Sequence, residues 1–211
     1  MIPSKVYGLA KNYEAHAQFM HESGHSEIAH APEDMVIFSK PSTSVIGPDD
    51  PIVIPSYSND MNFEPEVAVI MGRIAKNVPV EKAMDYVLGF TCVNDVTLRD
   101  LQGLDPMWTR AKGFDTSCPL GPWIQTELDW KDAKISFTLN GEDVPMASGT
   151  TANLIHGIPE QIAAISSFST LLPGDVIMTG TPNASGHLDP GDEPIVHVAG
   201  IGSLRNVVVR G

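Results

Sequence analysis

The sequence is poor in cysteine and has no long apolar run. Only Cys92 and Cys118 are present, and they do not form a Cys-x-x-Cys pair, so neither a disulfide framework nor a structural zinc site is expected. We expect two reduced, packed thiols. No run reaches the roughly 18 apolar residues of a membrane helix, and residues 1–5 lack the basic and then apolar build of a signal peptide. These absences predict a soluble, cytoplasmic protein.

Basic residues are also scarce, with 13 Lys and Arg against 26 Asp and Glu and a formal net charge of -13. A chain this acidic is repelled by nucleic acid and by anionic membranes, so we expect neither as a partner. The remaining composition, 42% hydrophobic and 18% charged, is that of an ordinary globular protein with a sizeable core. No linker or low-complexity tract divides the chain, so we expect a single domain over residues 1–211.

Turn and strand signals dominate the sequence, and helical signals are few. Asn140-Gly141, which follows the strand-like run 134–139, is a strong hairpin signal. Short helices are predicted over 80–88 and from about Pro159 to Phe168, with Phe168 on the apolar stripe of the second. The pattern predicts a mainly β fold with a few short helices, in the α+β class.

Two carboxylates stand at the start of an apolar strand. Glu64 and Glu66 share one face because alternate strand residues point the same way, and residues 67–71 are apolar on both faces. Asp95 follows a second run, 87–93, that is typical of a buried strand. Three carboxylates that meet would suit Mg²⁺ or Mn²⁺. The alternative is that each is a solvated strand end, since Glu-x-Glu alone is a weak signal.

Two further polar residues are candidates for binding an anion. Lys112 lies in an aromatic-flanked segment and could hold an anionic substrate or, with a depressed pKa, move a proton. A surface lysine is the alternative. Thr181 lies in a Gly-containing bend, where a main-chain N–H and a hydroxyl could approach a carboxylate or enolate closely. An ordinary turn is the alternative there.

Residues 20–34 are polar, irregular and without periodicity, and they follow a predicted helical turn that carries His16. The three histidines in this segment, His21, His25 and His30, do not follow a metal-ligand spacing. We therefore expect a mobile, solvated loop, which would act as a flexible lid over 20–34.

Short motifs are spread over nearly the whole chain. They include Asn12-Tyr13-x-x-His16, Lys40-Pro41, Phe63-Glu64-x-Glu66, Asn94-Asp95, Arg99-Asp100-Leu101-Gln102, Trp108-Thr109-x-x-Lys112, Pro173-Gly174-Asp175 and Thr179-Gly180-Thr181-Pro182. In identity and in order, these motifs resemble those of the fumarylacetoacetate hydrolase family. The resemblance implies a mixed β-roll fold, usually a homodimer, that acts on a small anionic 2-oxo acid or its enol with Mg²⁺ or Mn²⁺ as cofactor.

The resemblance also implies roles for individual residues. By position, the metal ligands are Glu64, Glu66 and Asp95, the substrate contacts are Arg99, Gln102 and Thr181, and the active-site lysine is Lys112. His16 matches a histidine that, in the hydrolase members, activates water together with a glutamate three residues later.

This sequence departs from that dyad, because the residue three positions after His16 is Phe19, which cannot orient an imidazole. Glu22 would replace the glutamate if the lid carries an insertion, although a spacing of six on a regular helix places it off the face of His16. The expected catalytic residues are therefore His16, Lys112 and Glu22, with the pairing of His16 and Glu22 an open hypothesis. The family's Gly-Val-Gly after Thr-Gly-Thr-Pro is also changed, in segment 183–186.

Several reactions are open, and by the resemblance all share a metal-stabilised enolate. C–C hydrolysis of an acylpyruvate-type substrate is the first expectation. An isomerase or decarboxylase of the homoprotocatechuate pathway type, or an oxaloacetate decarboxylase or tautomerase, is the alternative, and only hydrolysis needs an activated water. An inactive, metal-binding oligomeric protein is a further alternative. The presence of three carboxylates together with Lys112 argues against an inactive protein, since apolar residues at these positions would give a purely structural protein a more stable fold.

Overall fold

Short strands joined by tight turns make up most of the computed structural model, which describes residues 2–27 and 29–211. The strands are β1 (Val6–Ala10), β2 (Val36–Lys40), β3 (Val45–Ile46), β4 (Pro51–Ile54), β5 (Met61–Phe63), β6 (Pro65–Met71), β7 (Val87–Asn94), β8 (Thr97–Leu98), β9 (Cys118–Gln125), β10 (Lys134–Leu139), β11 (Glu142–Asp143), β12 (Gly149–Thr150), β13 (Val176–Met178), β14 (Gly186–His187), β15 (Pro194–Val198), β16 (Gly202–Arg205) and β17 (Val207–Arg210). The α-helices are α1 (Glu14–Glu22), α2 (Arg99–Gln102), α3 (Thr109–Lys112) and α4 (Ile158–Phe168), and the 3₁₀ helices are Ser42–Ser44, Val80–Tyr86, Pro145–Ala147 and Thr151–Asn153.

The largest sheet has seven strands in the order β2-β1-β13-β6-β7-β9-β3, and it mixes parallel and antiparallel pairs. A second sheet has the order β11-β10-β15-β16, with β12 also paired to β10. Smaller sheets join β14-β5-β8 and β17-β4. This curled, strand-dominated arrangement confirms the predicted mainly β fold with a few short helices.

The main hydrophobic core lies where the two larger sheets face each other. Val67 and Val69 of β6 belong to it, together with Phe137 of β10, whose ring stacks on Phe63 at a centroid distance of 4.0 Å. The opposite face of β6 carries Ala68 and Ile70, which belong to a smaller cluster. Strand β6 is therefore buried on both faces, as predicted, and Glu66 lies on the face of the smaller cluster because it alternates with Val67.

Two of the local predictions are confirmed and one is wrong in part. Asn140 and Gly141 take positive φ angles, 56° and 83°, in the hairpin between β10 and β11. Helix α4 forms as predicted, although Phe168 is exposed at its end. The helix predicted over 80–88 is a 3₁₀ helix that ends at Tyr86, because Val87 pairs with Met71 and starts β7.

The segment expected to form the lid begins as a helix, because α1 continues to Glu22 and buries Met20. Its described residues from 23 to 34 contain no helix or strand and are largely exposed. Strands β1 and β2 pair antiparallel from Val6↔Lys40 to Ala10↔Val36, so α1 and this segment together form the connection of one long hairpin. The mobility of the segment remains a prediction.

The two cysteines are buried and unpaired, as expected, and burial raises the pKa of each thiol to about 12. Within residues 2–27 and 29–211, no helix is both long enough and apolar enough to cross a membrane.

A buried aspartate ties the N-terminal segment to the sheet. The Asp175 carboxylate is fully buried and accepts hydrogen bonds from the Ser4 hydroxyl at 2.6 Å, the Leu172 N–H at 2.7 Å and Lys5 Nζ at 2.5 Å. Burial alone would raise the pKa of Asp175, but the hydrogen bonds from Lys5 and Ser4 outweigh it and lower that pKa.

Asp175→Asn is expected to lower the free energy of unfolding by about 1–3 kcal/mol, because an amide nitrogen would then face buried donors. Urea unfolding measures this, with Asp85→Asn at an exposed site as the control. Since the folded pKa is lowered, the difference should be complete above the ordinary aspartate pKa and shrink as the pH falls through the lowered one. If the free energy of unfolding falls equally in both variants, the hydrogen bonds to Asp175 do not contribute to stability.

Candidate metal and substrate site

Three carboxylates meet where β6 begins and β7 ends. Glu64, Glu66 and Asp95 are 4%, 2% and 1% exposed, and each offers an oxygen within 4.8 Å of the others. The pairing of Pro65 with Asn94 places the two strand ends side by side, and the Asp95 N–H donates to the Glu64 carbonyl at 2.9 Å. The alternative that these residues are solvated strand ends is therefore wrong.

Three cationic side chains surround the carboxylates. Lys112 Nζ lies 2.7 Å from Glu64 Oε2 and 2.5 Å from Asp95 Oδ2. Arg99 Nη2 pairs with Glu64 Oε1, and Lys40 Nζ lies 2.9 Å from Asp95 Oδ1. Each of these cations is at most 5% exposed, so opposite charge compensates most of the lost hydration.

The two glutamates differ in their charged neighbours: Arg99 and Lys112 both contact Glu64, and neither contacts Glu66 directly. Burial would raise the pKa of Glu64, but Lys112 and Arg99 outweigh it and hold that pKa well below its ordinary value. Burial, together with Asp95 and Glu64, raises the pKa of Glu66 well above its ordinary value. Glu66 accepts the Gly180 N–H at 2.7 Å and the Thr181 hydroxyl at 3.2 Å, and neither donor carries a charge.

The buried oxygens fit a hard divalent cation. Asp95 Oδ1 accepts no hydrogen bond among the described residues, although Lys40 Nζ is close to it. The Lys40 protons are directed elsewhere, to the carbonyls of Val96, Lys112 and Ser117 at 3.1, 2.5 and 2.8 Å. A buried carboxylate oxygen with free lone pairs, next to two more carboxylates, is the donor set that Mg²⁺ or Mn²⁺ prefers.

Lys40 is a site residue that the sequence analysis assigned no role. It is 1% exposed, and its ammonium ties the end of α3 to the segment after β7. The sequence did contain a signal for Lys40. It follows Phe38 by two residues in a strand, so both side chains lie on the same face, and a lysine on a buried face needs a partner for its charge.

Lys112 is a fixed cation in this structure. Burial would lower the pKa of Lys112, but Asp95 and Glu64 outweigh burial and raise it. Its ammonium also lies 4.9 Å from the centre of the Phe38 ring. Of the two roles open to Lys112, binding an anion therefore fits the structure, and moving a proton with a depressed pKa does not.

His16 is buried on α1 and is oriented by the main chain. Its Nδ1 lies 2.5 Å from the Asn183 carbonyl, which can only accept, so Nδ1 carries the hydrogen and Nε2 carries the lone pair. Burial lowers the pKa of His16, with Arg99 and Lys112 adding to the effect and Glu64 opposing it.

The expected pair of His16 and Glu22 does not form in this structure. Glu22 is exposed and accepts a hydrogen bond from Gln18 at 2.8 Å, because α1 is a regular helix that turns Glu22 away from the face of His16. Phe19 stacks on the imidazole at a centroid distance of 6.4 Å. The histidine therefore has a carbonyl and an aromatic ring as neighbours where a glutamate was expected.

The remaining expected site residues lie in the same pocket. Arg99, Gln102 and Thr181 line it with His16, Lys112 and the three carboxylates. Arg99 links the group, because Nη1 donates to Gln102 Oε1 and Nη2 to Ser185 Oγ, both at 2.7 Å. The open volume is only about 20 Å³, which is room for about one water molecule. A substrate larger than a water molecule therefore requires some of the lining side chains to move.

Two solved structures of enzymes are similar to this chain. The chain is 44% identical to 5-carboxymethyl-2-hydroxymuconate delta-isomerase from Mycobacterium smegmatis, with a TM-score of 0.90 over 100% of this chain and 80% of that one. It is 29% identical to fumarylpyruvate hydrolase from Pseudomonas aeruginosa in complex with Mn²⁺ and pyruvate, with a TM-score of 0.87 over 98% and 90%.

A curated relative supports the same grouping. The rat (Rattus norvegicus) protein oxaloacetate tautomerase Fahd2a, mitochondrial, is 37% identical over 98% of this chain and 67% of its own length. Residues 5–209 match the family described as fumarylacetoacetate (FAA) hydrolase, C-terminal. With these matches spanning the buried carboxylates and the cations around them, the chain belongs to the fumarylacetoacetate hydrolase family.

Proposed function

We propose that this protein is a divalent-metal-dependent enzyme that moves a proton within the enolate system of a small anionic 2-oxo acid, from C3 to the enolate oxygen or to a conjugated carbon, or in the reverse direction. The reaction is a keto–enol tautomerisation or a double-bond isomerisation. The observation that carries this choice is the hydrogen bond from His16 Nδ1 to the Asn183 carbonyl, in place of a carboxylate. The isomerase and tautomerase among its relatives support the same reaction class.

Glu64, Glu66 and Asp95 would hold the cation, because their buried oxygens converge and Asp95 Oδ1 has no hydrogen bond among the described residues. Bound there, a Mg²⁺ or Mn²⁺ ion supplies positive charge next to the oxygen on which an enolate develops. The Mn²⁺ named with the fumarylpyruvate hydrolase supports this assignment.

The cations of the pocket would bind the anionic substrate. Lys112 and Arg99 are buried and charged, and both can transfer their hydrogen bonds from Glu64 to an incoming carboxylate. Gln102 and the Thr181 hydroxyl line the same pocket and offer neutral donors for the remaining oxygens. The substrate is therefore held by its charged end, with its third carbon toward His16.

His16 would carry the proton. A histidine with a lowered pKa is neutral near pH 7, and its free Nε2 can accept a proton from carbon. Deprotonating water, with a pKa of about 15.7, demands more of a base. In His–carboxylate pairs the carboxylate stabilises the imidazolium. Either reaction would form the imidazolium that Arg99 and Lys112 oppose, so the preference for proton transfer at a C–H rests on the Asn183 carbonyl that stands in place of a carboxylate at Nδ1.

C–C hydrolysis of an acylpyruvate, the first expectation from the sequence, becomes the second candidate. The 29% identity to a fumarylpyruvate hydrolase favours keeping it. It would require the C-terminal end of α1 to rearrange and bring Glu22 to His16, since both residues lie on that helix. Decarboxylation uses the same enolate and needs no activated water, so it stays with the first candidate. The homodimer, the cytoplasmic location and the inactive alternative remain predictions that this structure does not address.

His16→Ala is expected to slow the enol–keto interconversion of oxaloacetate by about 10²-fold or more, the usual scale for a lost general base. Ultraviolet absorbance of the enol follows this reaction with added Mn²⁺, and acetylpyruvate cleavage is measured in parallel. Glu22→Gln is the matched control and should leave interconversion unchanged, since Glu22 is exposed. A different result would favour hydrolysis. If the wild type cleaves acetylpyruvate faster than it interconverts oxaloacetate, and Glu22→Gln abolishes that cleavage, then Glu22 is the water-activating partner and the protein is a hydrolase.

Lys112→Met is expected to tighten Mn²⁺ binding by about tenfold, or about 1.4 kcal/mol, while abolishing turnover. The ammonium now lies 2.7 Å from Glu64 Oε2 and 2.5 Å from Asp95 Oδ2, so it competes with a cation for these oxygens. Isothermal titration calorimetry without substrate measures the affinity, and Lys82→Met at an exposed site is the control. Weaker binding in Lys112→Met would mean that the ammonium organises the carboxylates more than it competes.

Glu66→Ala is expected to abolish Mn²⁺ binding and to change how stability depends on pH. Because the folded pKa of Glu66 is raised, chelator-treated wild-type protein should lose stability as the pH rises from the ordinary glutamate pKa through the raised value. Differential scanning fluorimetry should show that Mn²⁺ removes this slope and that Glu66→Ala lacks it. Glu81→Ala, at an exposed site, should behave like the wild type. Undiminished Mn²⁺ affinity in Glu66→Ala would refute the ligand assignment.

A further inference from the structure

One basic side chain of the pocket has no acidic partner. Lys11 follows directly after β1 and lines the same pocket as the three carboxylates. Its ammonium donates to the Ser26 hydroxyl at 2.6 Å, and within residues 2–27 and 29–211 it forms no ion pair. Burial lowers the pKa of Lys11, and no carboxylate counteracts that effect. The charge of Lys11 is therefore partly desolvated without compensation.

The main chain holds Lys11 in a conformation that is unfavourable for any side chain. Its φ angle is 54°, in the left-handed region that glycine adopts freely and lysine does not. The next residue fixes this conformation, because Asn12 Nδ2 donates to the carbonyls of His156 and Thr179 at 3.0 and 2.9 Å and Asn12 Oδ1 accepts the His156 N–H at 2.9 Å. A lysine where glycine would be less strained indicates a use for its side chain.

The charges along the pocket allow a second anionic group. Three cations and three carboxylates line it, and the cations are Lys11, Arg99 and Lys112. A divalent ion would add two positive charges, and the carboxylate of a 2-oxo acid would balance only one of them. Lys40, which contacts Asp95 from outside the lining, adds further positive charge. A second carboxylate on the same substrate would therefore enter a pocket of net positive charge.

Lys11 is also the lining cation that is most easily released toward a ligand. Lys112 and Arg99 are buried and held by carboxylates, whereas Lys11 is half-buried and its partner is a neutral hydroxyl. The flexible stem of a lysine lets the ammonium exchange that hydroxyl for an incoming carboxylate. Leu9 and Met20 line the pocket too and offer apolar surface to the carbon chain of a substrate.

We propose that Lys11 determines the substrate range of this pocket, because its ammonium binds a second carboxylate at the opposite end of the substrate from the 2-oxo acid group. The protein therefore prefers 2-oxo dicarboxylic acids to the corresponding monocarboxylic acids. This inference rests on the proposed function, which assigns the 2-oxo acid group to the divalent ion, Lys112 and Arg99. The alternative is that Lys11 only ties the segment after α1 to the end of β1 through Ser26.

Matched pairs of acids, in which a methyl group replaces the distal carboxylate, test the proposal. The pairs are oxaloacetate with 2-oxobutanoate, 2-oxoglutarate with 2-oxopentanoate and 2-oxoadipate with 2-oxohexanoate. Tryptophan fluorescence with Mg²⁺ present measures the affinities, because Trp108 lines the pocket, and calorimetry checks the two longer pairs. In at least one pair the wild type should bind the dicarboxylic acid about 10- to 100-fold more tightly, the scale of a hydrogen bond to a charged group. Lys11→Met should lose this preference by weakening the dicarboxylic acid alone.

Four further variants separate binding from a structural role. Lys11→Arg keeps the charge and should keep the preference, and so should Lys82→Met at an exposed site. Ser26→Ala should also keep it, whereas a loss equal to that of Lys11→Met would make Lys11 a structural tie and overturn the proposal. Lys11→Gly should lose the preference and unfold at a higher urea concentration than Lys11→Met, because glycine adopts a φ of 54° without steric strain. It carries the test if Lys11→Met does not fold.

A second measurement keeps this proposal separate from the proposed function. Exchange of the C3 hydrogens of each acid for deuterium, followed by NMR with Mg²⁺ present, reports proton transfer at carbon. Exchange without a preference that depends on Lys11 would refute the role of Lys11 alone. A preference that depends on Lys11, without exchange, would refute the proposed proton transfer alone. A wild type with no preference in any pair, or a Lys11→Met variant that retains it, would overturn the proposal.

Discussion

The buried charge cluster is the constraint on which the rest of the site depends. Glu64, Glu66 and Asp95 are buried, and their oxygens lie within 4.8 Å of one another. Their mutual repulsion is offset by the ammonium groups of Lys40 and Lys112 and the guanidinium of Arg99, which lie next to them. The cations pair closely with Glu64 but not with Glu66, which is why the pKa of Glu64 is lowered and that of Glu66 is raised. No cation pairs directly with Glu66 among the described residues, and a divalent ion held by the three carboxylates would place positive charge beside it.

The same cluster explains why the pocket is small. Lys112 and Arg99 fill part of the space around Glu64 and Asp95 and occupy oxygens that a cation would otherwise contact. Entry of a cation with an anionic 2-oxo acid would exchange these contacts for equivalent ones, at little net electrostatic cost.

The sequence predicted the parts of the site that follow from local pattern. Strand alternation placed Glu64 and Glu66 on one face, and strand-end and turn patterns singled out Asp95, Lys112 and Thr181. The family resemblance assigned their roles and added Arg99 and Gln102, and all of these residues line one pocket in the structure. Long-range contacts were not predictable. The Asn183 carbonyl reaches His16 from far along the chain, and Lys40 meets Lys112 across two elements. Neither contact leaves a periodic signal, because each depends on where the sheet brings distant turns together.

The β1–β2 hairpin has a consequence for how such sites diversify. Its five paired positions, from Val6↔Lys40 to Ala10↔Val36, fix both ends of the connection that carries His16, Phe19 and Glu22, while the carboxylates are anchored on other strands. The connection can therefore be lengthened, shortened or exchanged without disturbing the register of the sheet. The pocket is in that sense modular: one frame of paired strands carries the three carboxylates, and a separate hairpin insert carries His16.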